Sequence, residues 1–447
     1  MILKICTRDF EIECPPHART WQEIASRIAA IPHSGVPIRL ILTQADGEKL
    51  RFEGSFIETD RQPVWPSLLS MNLRQTTAAT PFVAISIIPT GVRAEIGGFA
   101  GDGTPCTNLL ATACDYLITN PNSVTASDLY YANDNVLYLE GNLIGQLLLG
   151  NIAVHPEKRS EVGVIIEKPN DERFLNNILN ALNGLRTVSG ININPCVVTG
   201  DAVRTECFYS PHGHASGNFD GMEALMLALD TIAASGTTSV GIITTLMVQD
   251  MIRQGYYDGE AIPNPWGGAE AILTHMTTTF YPFTAAHAPL LMDWEHTMFG
   301  TLGDPRDGAE LISSAYACSP LRGLTRSPRP VPVDAPLLMG SQRLSVENIS
   351  AVIMPETTVG NIPFFASLDQ KIPLILVRGN PTQSNITPDR LQIDHQNRKI
   401  YYADNYMEAT GLLLALRHGI MPEATQRPFP SLSPIYLDNL RERMMSN

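Results

Sequence analysis

Pro81-Phe82-Val83-Ala84-Ile85-Ser86-Ile87-Ile88-Pro89 is a run of apolar and small residues closed at both ends by proline. Such a run, without polar alternation, predicts a strand buried on both faces. A glycine-rich turn follows, from Thr90-Gly91-Val92-Arg93 through Gly97-Gly98 to Gly101-Asp102-Gly103-Thr104-Pro105, and then a helical run from Thr107 to Tyr116. The same alternation recurs downstream. Phe174 to Leu185, Gly221 to Ala234, Phe364 to Gln370 and Met407 to His418 read as helices. Val197-Val198, Val240 to Ile243, Ala351 to Met354 and Pro373 to Val377 read as strands. This order predicts an α/β fold, doubly wound, with a mainly parallel sheet in two lobes.

Outward from that core the chain divides into three parts. Residues 1–75 predict a small β-grasp-like α+β module. In it Leu3-Ile5 and Phe10-Ile12 pair as a hairpin, Thr20 caps a helix bearing Ile24 and Ile28, and Ala45-Asp46-Gly47 turns a second hairpin. Proline and threonine between 60 and 80 mark a linker. Residues 81–336 form the main α/β domain with the glycine-rich loop, ending in a long Pro/Gly/Arg/Asp-rich loop from 300. Residues 337–447 read as a second, smaller α/β lobe, or the far edge of the same sheet, with a C-terminal arm.

The chain has 447 residues, 44% hydrophobic and only 17% charged, which excludes a disordered chain. Its formal net charge of -14 makes nucleic acid and anionic membrane surfaces poor partners. An apolar stretch from Val136 to Val154 is broken by Glu140, Asn142, Gln146 and Asn151, so it is no membrane span. The first residues reach Arg8-Asp9 without a signal-peptide core. Seven cysteines without a CxxC argue against a disulfide framework and for a reducing cytoplasm. A homo-oligomer stays open.

Chemistry is expected first at the glycine loop. Gly97, Gly98 and Gly101 let backbone amides approach a ligand, Thr104 or Asp102 opens the next helix, and Arg93 offers a fork for a carboxylate or phosphate. The same loop also reads as a glycine-tight crossover. It is neither GxGxxG nor GxxxxGK[ST], so no nucleotide and no organic cofactor is called for. Asn122, after an apolar strand end, is placed to hold a substrate carbonyl, or simply to make a turn. A second loop, with Thr358, Gly360 and Asn361, follows Ala351–Met354 and makes the other side of a cleft. For proton transfer the candidates are His287, at a strand end before Ala-Pro, and His275, on a largely apolar helix that Glu270 opens. His212 and His214 in an extended segment would face one side and offer a weak metal site.

Three segments, IIPTGVRAEIGGFAGDGTP, LITNPNSVTASDLYY and NVLYLEGNLIGQLLLG, together resemble a bacterial and cyanobacterial family of uncharacterised function, domain of unknown function thirty-three twenty-six. GGAEAILTH, AHAPLL and GLTRSP extend the resemblance over residues 82–330, and more loosely to the end. The family pattern carries a histidine where Asn120 stands. The resemblance implies relatives and no activity. The expected function is a cofactor-independent enzyme (a lyase, isomerase or hydrolase) working by acid–base chemistry on a small polar, carboxylate-bearing metabolite. His287 would be the acid or base, Asp102 or Glu270 its partner, and Arg93 with Asn122 the substrate anchors. The alternatives are a non-catalytic metabolite-binding or partner-binding protein, and a metal-dependent hydrolase using His212 and His214.

Overall fold

The computed structural model describes residues 3–32, 35–77, 80–99, 101–120, 131–157, 161–289, 318–336, 342–393, 399–429, 431–432 and 434. The N-terminal module contains β1 (Leu3–Glu13), α1 (Trp21–Ala29), β2 (Val36–Asp46) and β3 (Lys49–Thr59), with an antiparallel sheet in the order β1-β3-β2. The hairpin expected within residues 3–12 is one unbroken strand, paired with β3 from Leu3↔Thr59 to Glu13↔Lys49. Thr7, Arg8 and Asp9 stay paired with Ser55, Gly54 and Glu53 in one extended run, whereas Gly47, at φ +53°, turns the chain between β2 and β3. Thr20 Oγ1 accepts from Glu23 N at 3.2 Å, which fixes the start of α1 and turns Trp21, Ile24 and Ile28 inward.

Two parallel sheets form the body. The larger has the order β17-β16-β15-β4-β5-β6, from β4 (Val83–Ser86), β5 (Tyr116–Thr119), β6 (Val136–Tyr138), β15 (Ile349–Pro355), β16 (Leu374–Val377) and β17 (Ile400–Ala403). The chain winds outward from β4 through β5 to β6, and later from β15 through β16 to β17 in the opposite direction. The strand order therefore reverses between β4 and β15. Segments far apart in sequence share this one sheet. Its side chains alternate between two cores. Val83, Ile85, Val352 and Leu374 face one, with Phe364 and Phe365; Ala84, Ile353, Ile375 and Val377 face the other, with Leu110 and Leu413. Helices cover both faces, which is why these strands read as continuous apolar runs.

The smaller sheet has the order β13-β12-β8-β9, all parallel, from β8 (Glu161–Ile166), β9 (Asn192–Val198), β12 (Ser239–Thr244) and β13 (Thr284–Pro289). Between them stand the antiparallel pairs β7 (Ile152–His155) with β14 (Arg329–Pro332), and β10 (Arg204–Tyr209) with β11 (Ala215–Asp220). The helices used below are α2 (Thr104–Ala111), α3 (Gly141–Leu148), α4 (Glu172–Ser189), α5 (Met222–Ala234), α6 (Asp250–Tyr257), α7 (Gly267–Phe280), α8 (Cys318–Leu324), α9 (Ile362–Asp369) and α10 (Tyr406–Arg417).

The N-terminal module is seated on both sheets. Trp21 stacks on Phe365 and donates Nε1 to Leu68 O at 3.1 Å, and Arg19 donates to Leu391 O at 2.7 Å. Leu40, Leu42 and Phe52 join the core of the larger sheet, while Leu3, Ile38 and Ile57 join that of the smaller one. Residues 60–77 run along the body: Val64 N donates to Thr279 O at 2.9 Å, and Trp65 and Leu68 are buried. Among the described residues no helix is long and apolar enough to cross a membrane.

Candidate functional site

Where the strand order of a parallel sheet reverses, adjacent loops leave in opposite directions and open a crevice. A pocket of about 170 Å³ lies there. Ile87, Pro89 and Thr90 after β4, and Asn120 after β5, line it from the larger sheet. The starts of α3 (Gly141, Asn142) and α9 (Ile362, Pro363) border it, as do Gly267, Glu270, Thr274 and His275 of α7 and His287 of β13. The module closes it with Ile38, Arg39, Leu40 and Ile41 of β2.

Glu140 is the anchor behind the wall. It is fully buried at the end of β6 and caps α3, accepting from Asn142 N at 2.9 Å and Leu143 N at 3.4 Å. Thr274 Oγ1 donates to its Oε1 at 3.0 Å and Thr278 Oγ1 to its Oε2 at 2.9 Å, both from α7. His275 Nδ1, one residue along α7, makes a short hydrogen bond to Oε1. Burial works to raise the Glu140 carboxyl, but the charge of His275 and the bonds from His275, Thr278 and Thr274 outweigh it and hold the group below the ordinary carboxylate value. The helix N-terminus favours the same ionised state. An ionised Glu140 requires the proton on Nδ1, so a neutral His275 ring carries its lone pair on Nε2. Within the described residues no hydrogen bond occupies Nε2, and the ring is on the pocket wall. This arrangement can take up or deliver a proton at one defined atom.

His287 is built differently. Its Nδ1 meets Glu270 Oε1 at 3.0 Å and its Nε2 meets Thr244 Oγ1 at 2.9 Å, so both ring nitrogens have protein partners. The side chain has no exposed surface. Glu167, after β8, lies near enough for the charge of His287 to act on it; burial still raises its carboxyl, against bonds from Thr245 N at 2.6 Å and Val203 N at 2.9 Å. Of the two acids expected beside His287, Glu270 is there, in a pair whose ring nitrogens are both engaged within the protein.

The other expected residues lie elsewhere or do other work. Asp102 does not reach the pocket wall; its Oδ1 accepts from Gly97 N at 2.8 Å and Phe99 N at 3.3 Å, closing the glycine loop on itself. A Cβ on Gly98 would sit 2.1 Å from Ala94 O, so this glycine serves close backbone packing. Gly101 O accepts from Thr104 Oγ1 at 2.9 Å, and Arg93 pairs with Glu95 at 3.1 Å. Thr358 Oγ1 donates to Pro355 O at 3.0 Å, and Gly360 O accepts from Leu42 N at 2.9 Å, so that loop docks on the module. Asn361 lines the pocket and caps α9, accepting from Phe364 N at 2.9 Å. Asn122 lies outside the described residues. His212 and His214 are not extended neighbours: Gly213, at φ +80°, turns the chain between them. His212 meets Asp9 at 3.1 Å, while His214 is buried with Nδ1 unpartnered. Among the described residues no group of three or more His, Cys, Asp or Glu could hold a metal.

The sequence reading missed Glu140, Asn142 and Arg39. Glu140 had a signal, an acid directly after a buried strand and before Gly-Asn at a helix start. Asn142 is buried, donates Nδ2 to Thr278 and Thr279 hydroxyls at 3.1 and 3.2 Å, and has an unpartnered Oδ1. Asn120 is held by Ile88, accepting its N–H at 3.0 Å and donating to its carbonyl at 2.8 Å. Arg39 is buried against Glu53 at 2.8 Å, so its charge is answered within the protein.

Comparison with known proteins places the fold in context. A family model, Protein of unknown function (DUF3326), matches residues 83–426. The chain belongs to this family. The match spans both parallel sheets and both His–Glu pairs of this DUF3326 protein; the N-terminal module, with Ile38 to Ile41, lies outside it. An uncharacterized lipoprotein of Synechococcus sp. is 24% identical over 343 residues, 76% of this chain and 92% of that relative. No solved structure matches.

Proposed function

We propose that the protein is a small-molecule enzyme working by acid–base chemistry without an organic cofactor, with His275 Nε2 as the atom that moves the proton. The single observation that supports this is the Glu140–His275 pair on the pocket wall. A buried carboxylate fixes the ring's tautomer and orientation, the ring lines the pocket, and its opposite nitrogen has no hydrogen-bond partner among the described residues. Glu140 acts through His275 and is a positioning residue. His287, held by Glu270 and Thr244, shapes the neighbouring wall and is a weaker candidate than its place in the sequence suggested. The starts of α3, α7 and α9 border the same pocket, and their partial positive charge suits a carbonyl or carboxylate oxygen.

The reaction class is a proton abstraction or a hydrolysis, both of which need one base at a defined position. The test is a turnover screen of the full chain, reading solvent deuterium exchange beside the carbonyl of small carboxylic acids and hydrolysis of their esters. His275→Gln should lower the rate found by a hundredfold or more, about the scale for a general base, with the melting temperature kept. Glu140→Gln should lower it less. Turnover unchanged in both variants would make the pair structural, and saturable binding without turnover would favour the metabolite-binding alternative.

A further inference from the structure

Among the described residues that line the pocket, Glu270 is the one acid and Arg39 the one arginine or lysine. Arg39 is buried and paired with Glu53 at 2.8 Å, so its charge is answered inside the protein. Arg93, expected from the sequence to hold an anion, pairs with Glu95 at 3.1 Å and does not line the pocket. An anionic group entering the pocket meets no unanswered side-chain cation, and would give up hydration without an ion pair in return. Glu270 offers the opposite. Its Oε1 meets His287 Nδ1 at 3.0 Å, which fixes the carboxylate, while Oε2 has no hydrogen-bond partner among the described residues. Its side chain is 20% exposed, in a residue that lines the pocket. Thr90 reaches the same end of α7, since a Cβ on Gly267 would lie 2.4 Å from Thr90 Oγ1. Gly267 and Glu270 are three apart on the helix and share a face.

Resting on the acid–base reading, we infer that the substrate is a small carbonyl compound carrying a protonated primary amine, and that Glu270 is the residue that selects it. The free oxygen of Glu270 and the bare Nε2 of a neutral His275 are both acceptors, so they call for a ligand that brings its own N–H groups. An ammonium brings three donors, and a charge-assisted bond to a carboxylate is roughly twice as strong as a neutral one. The ammonium sits on Glu270 Oε2, with the Thr90 hydroxyl at the same end of α7. Proton transfer stays with His275, further along that helix. His287 is then a positioning residue, whose ring holds Oε1 and leaves Oε2 to the ligand. The free interior of about 170 Å³ sets the size. A cavity of about 150 Å³ holds benzene, so a molecule of about six heavy atoms fills this one.

The test is calorimetric titration of the full chain, at about pH 7, with amides of similar size: alaninamide with an ammonium, lactamide with a hydroxyl, propionamide with neither and malonamate with a carboxylate. Alaninamide should bind about tenfold tighter than lactamide or propionamide, and malonamate most weakly. Added salt should weaken alaninamide and leave propionamide unchanged. Glu270→Gln keeps an acceptor for His287 and removes the charge, so it should bring alaninamide to within about twofold of lactamide. If that variant does not fold, the wild-type order and its salt dependence still decide, because Glu270 is the one acid among the described lining residues. Equal affinities across the series, malonamate binding tighter than alaninamide, no measurable binding of any of them, or an amine preference that survives Glu270→Gln would overturn the inference. No amine preference alongside lost turnover in His275→Gln would overturn the substrate class alone. An amine preference with turnover intact in His275→Gln would support the substrate class and reject the acid–base reading.

Discussion

His214 should make this protein acid-sensitive well above the range in which carboxylates protonate. It sits in the turn between β10 and β11, only 3% exposed. Burial drives its imidazole down to about 4; Glu53 opposes that shift, and Arg39 and His212 reinforce it. In the unfolded chain the same ring titrates at about 6.5. The folded state therefore holds His214 neutral while the unfolded state begins to bind a proton. Its contribution is fully present above about pH 6.5, falls as the pH drops, and is gone below about pH 4. The interval corresponds to about 3 kcal/mol. His214→Gln removes the titration and keeps a polar side chain of similar length. Urea midpoints of both proteins should be followed between about pH 7 and about pH 4. Carboxylates titrate in both, so the difference isolates His214. The wild type should lose about 3 kcal/mol more than the variant across the window. Parallel curves would refute the reasoning and mean that the ring is hydrated or partnered.

Three further outcomes follow from particular contacts. Gly98→Ala should destabilise the fold by several kcal/mol with or without ligand, because the new Cβ would lie 2.1 Å from Ala94 O; a melting curve equal to the wild type would return the glycine loop to candidacy as a ligand cradle. Arg39→Met should cost about 3–5 kcal/mol by stranding Glu53, and the double change Arg39→Met, Glu53→Met should recover most of it; denaturant titration of the three variants decides. Glu140 is held below the ordinary carboxylate value, so its contribution is present above about pH 4.3 and lost as the pH falls through its lower folded value; a Glu140→Gln variant should lack that acid limb in the same titrations.

The parallel sheets were legible because strands covered on both faces must be apolar throughout. Val83–Ser86, Val240–Ile243 and Leu374–Val377 carry that mark in the sequence, and all are strand in the structure. Leu3–Glu13 was misread because a long strand on a partly exposed sheet alternates irregularly, and its broken pattern resembles two short strands. Of the site, His287 was expected beside Asp102 or Glu270, and Glu270, 17 residues away across one helix and one strand, is the one that meets it. Glu140 and His275 are 135 residues apart, and only the meeting of the two sheets brings them together. Asp102 misled for the opposite reason. Its chemistry is real, but the short-range bonds to Gly97 and Phe99 that an aspartate makes in a tight turn consume it locally. Asn361 shows both outcomes at once, a helix cap that also borders the pocket.

The account rests on one atom, His275 Nε2, which has no hydrogen-bond partner among the described residues, in a ring that lines the pocket. Nitrogen–proton correlation spectra of the full chain with isotope-labelled histidine read this directly, with His275→Gln assigning the signal. In its neutral form the His275 ring should carry its proton on Nδ1 and none on Nε2, and Glu140→Gln should abolish the single-tautomer pattern. A neutral His275 ring protonated on Nε2 instead of Nδ1 would contradict the account.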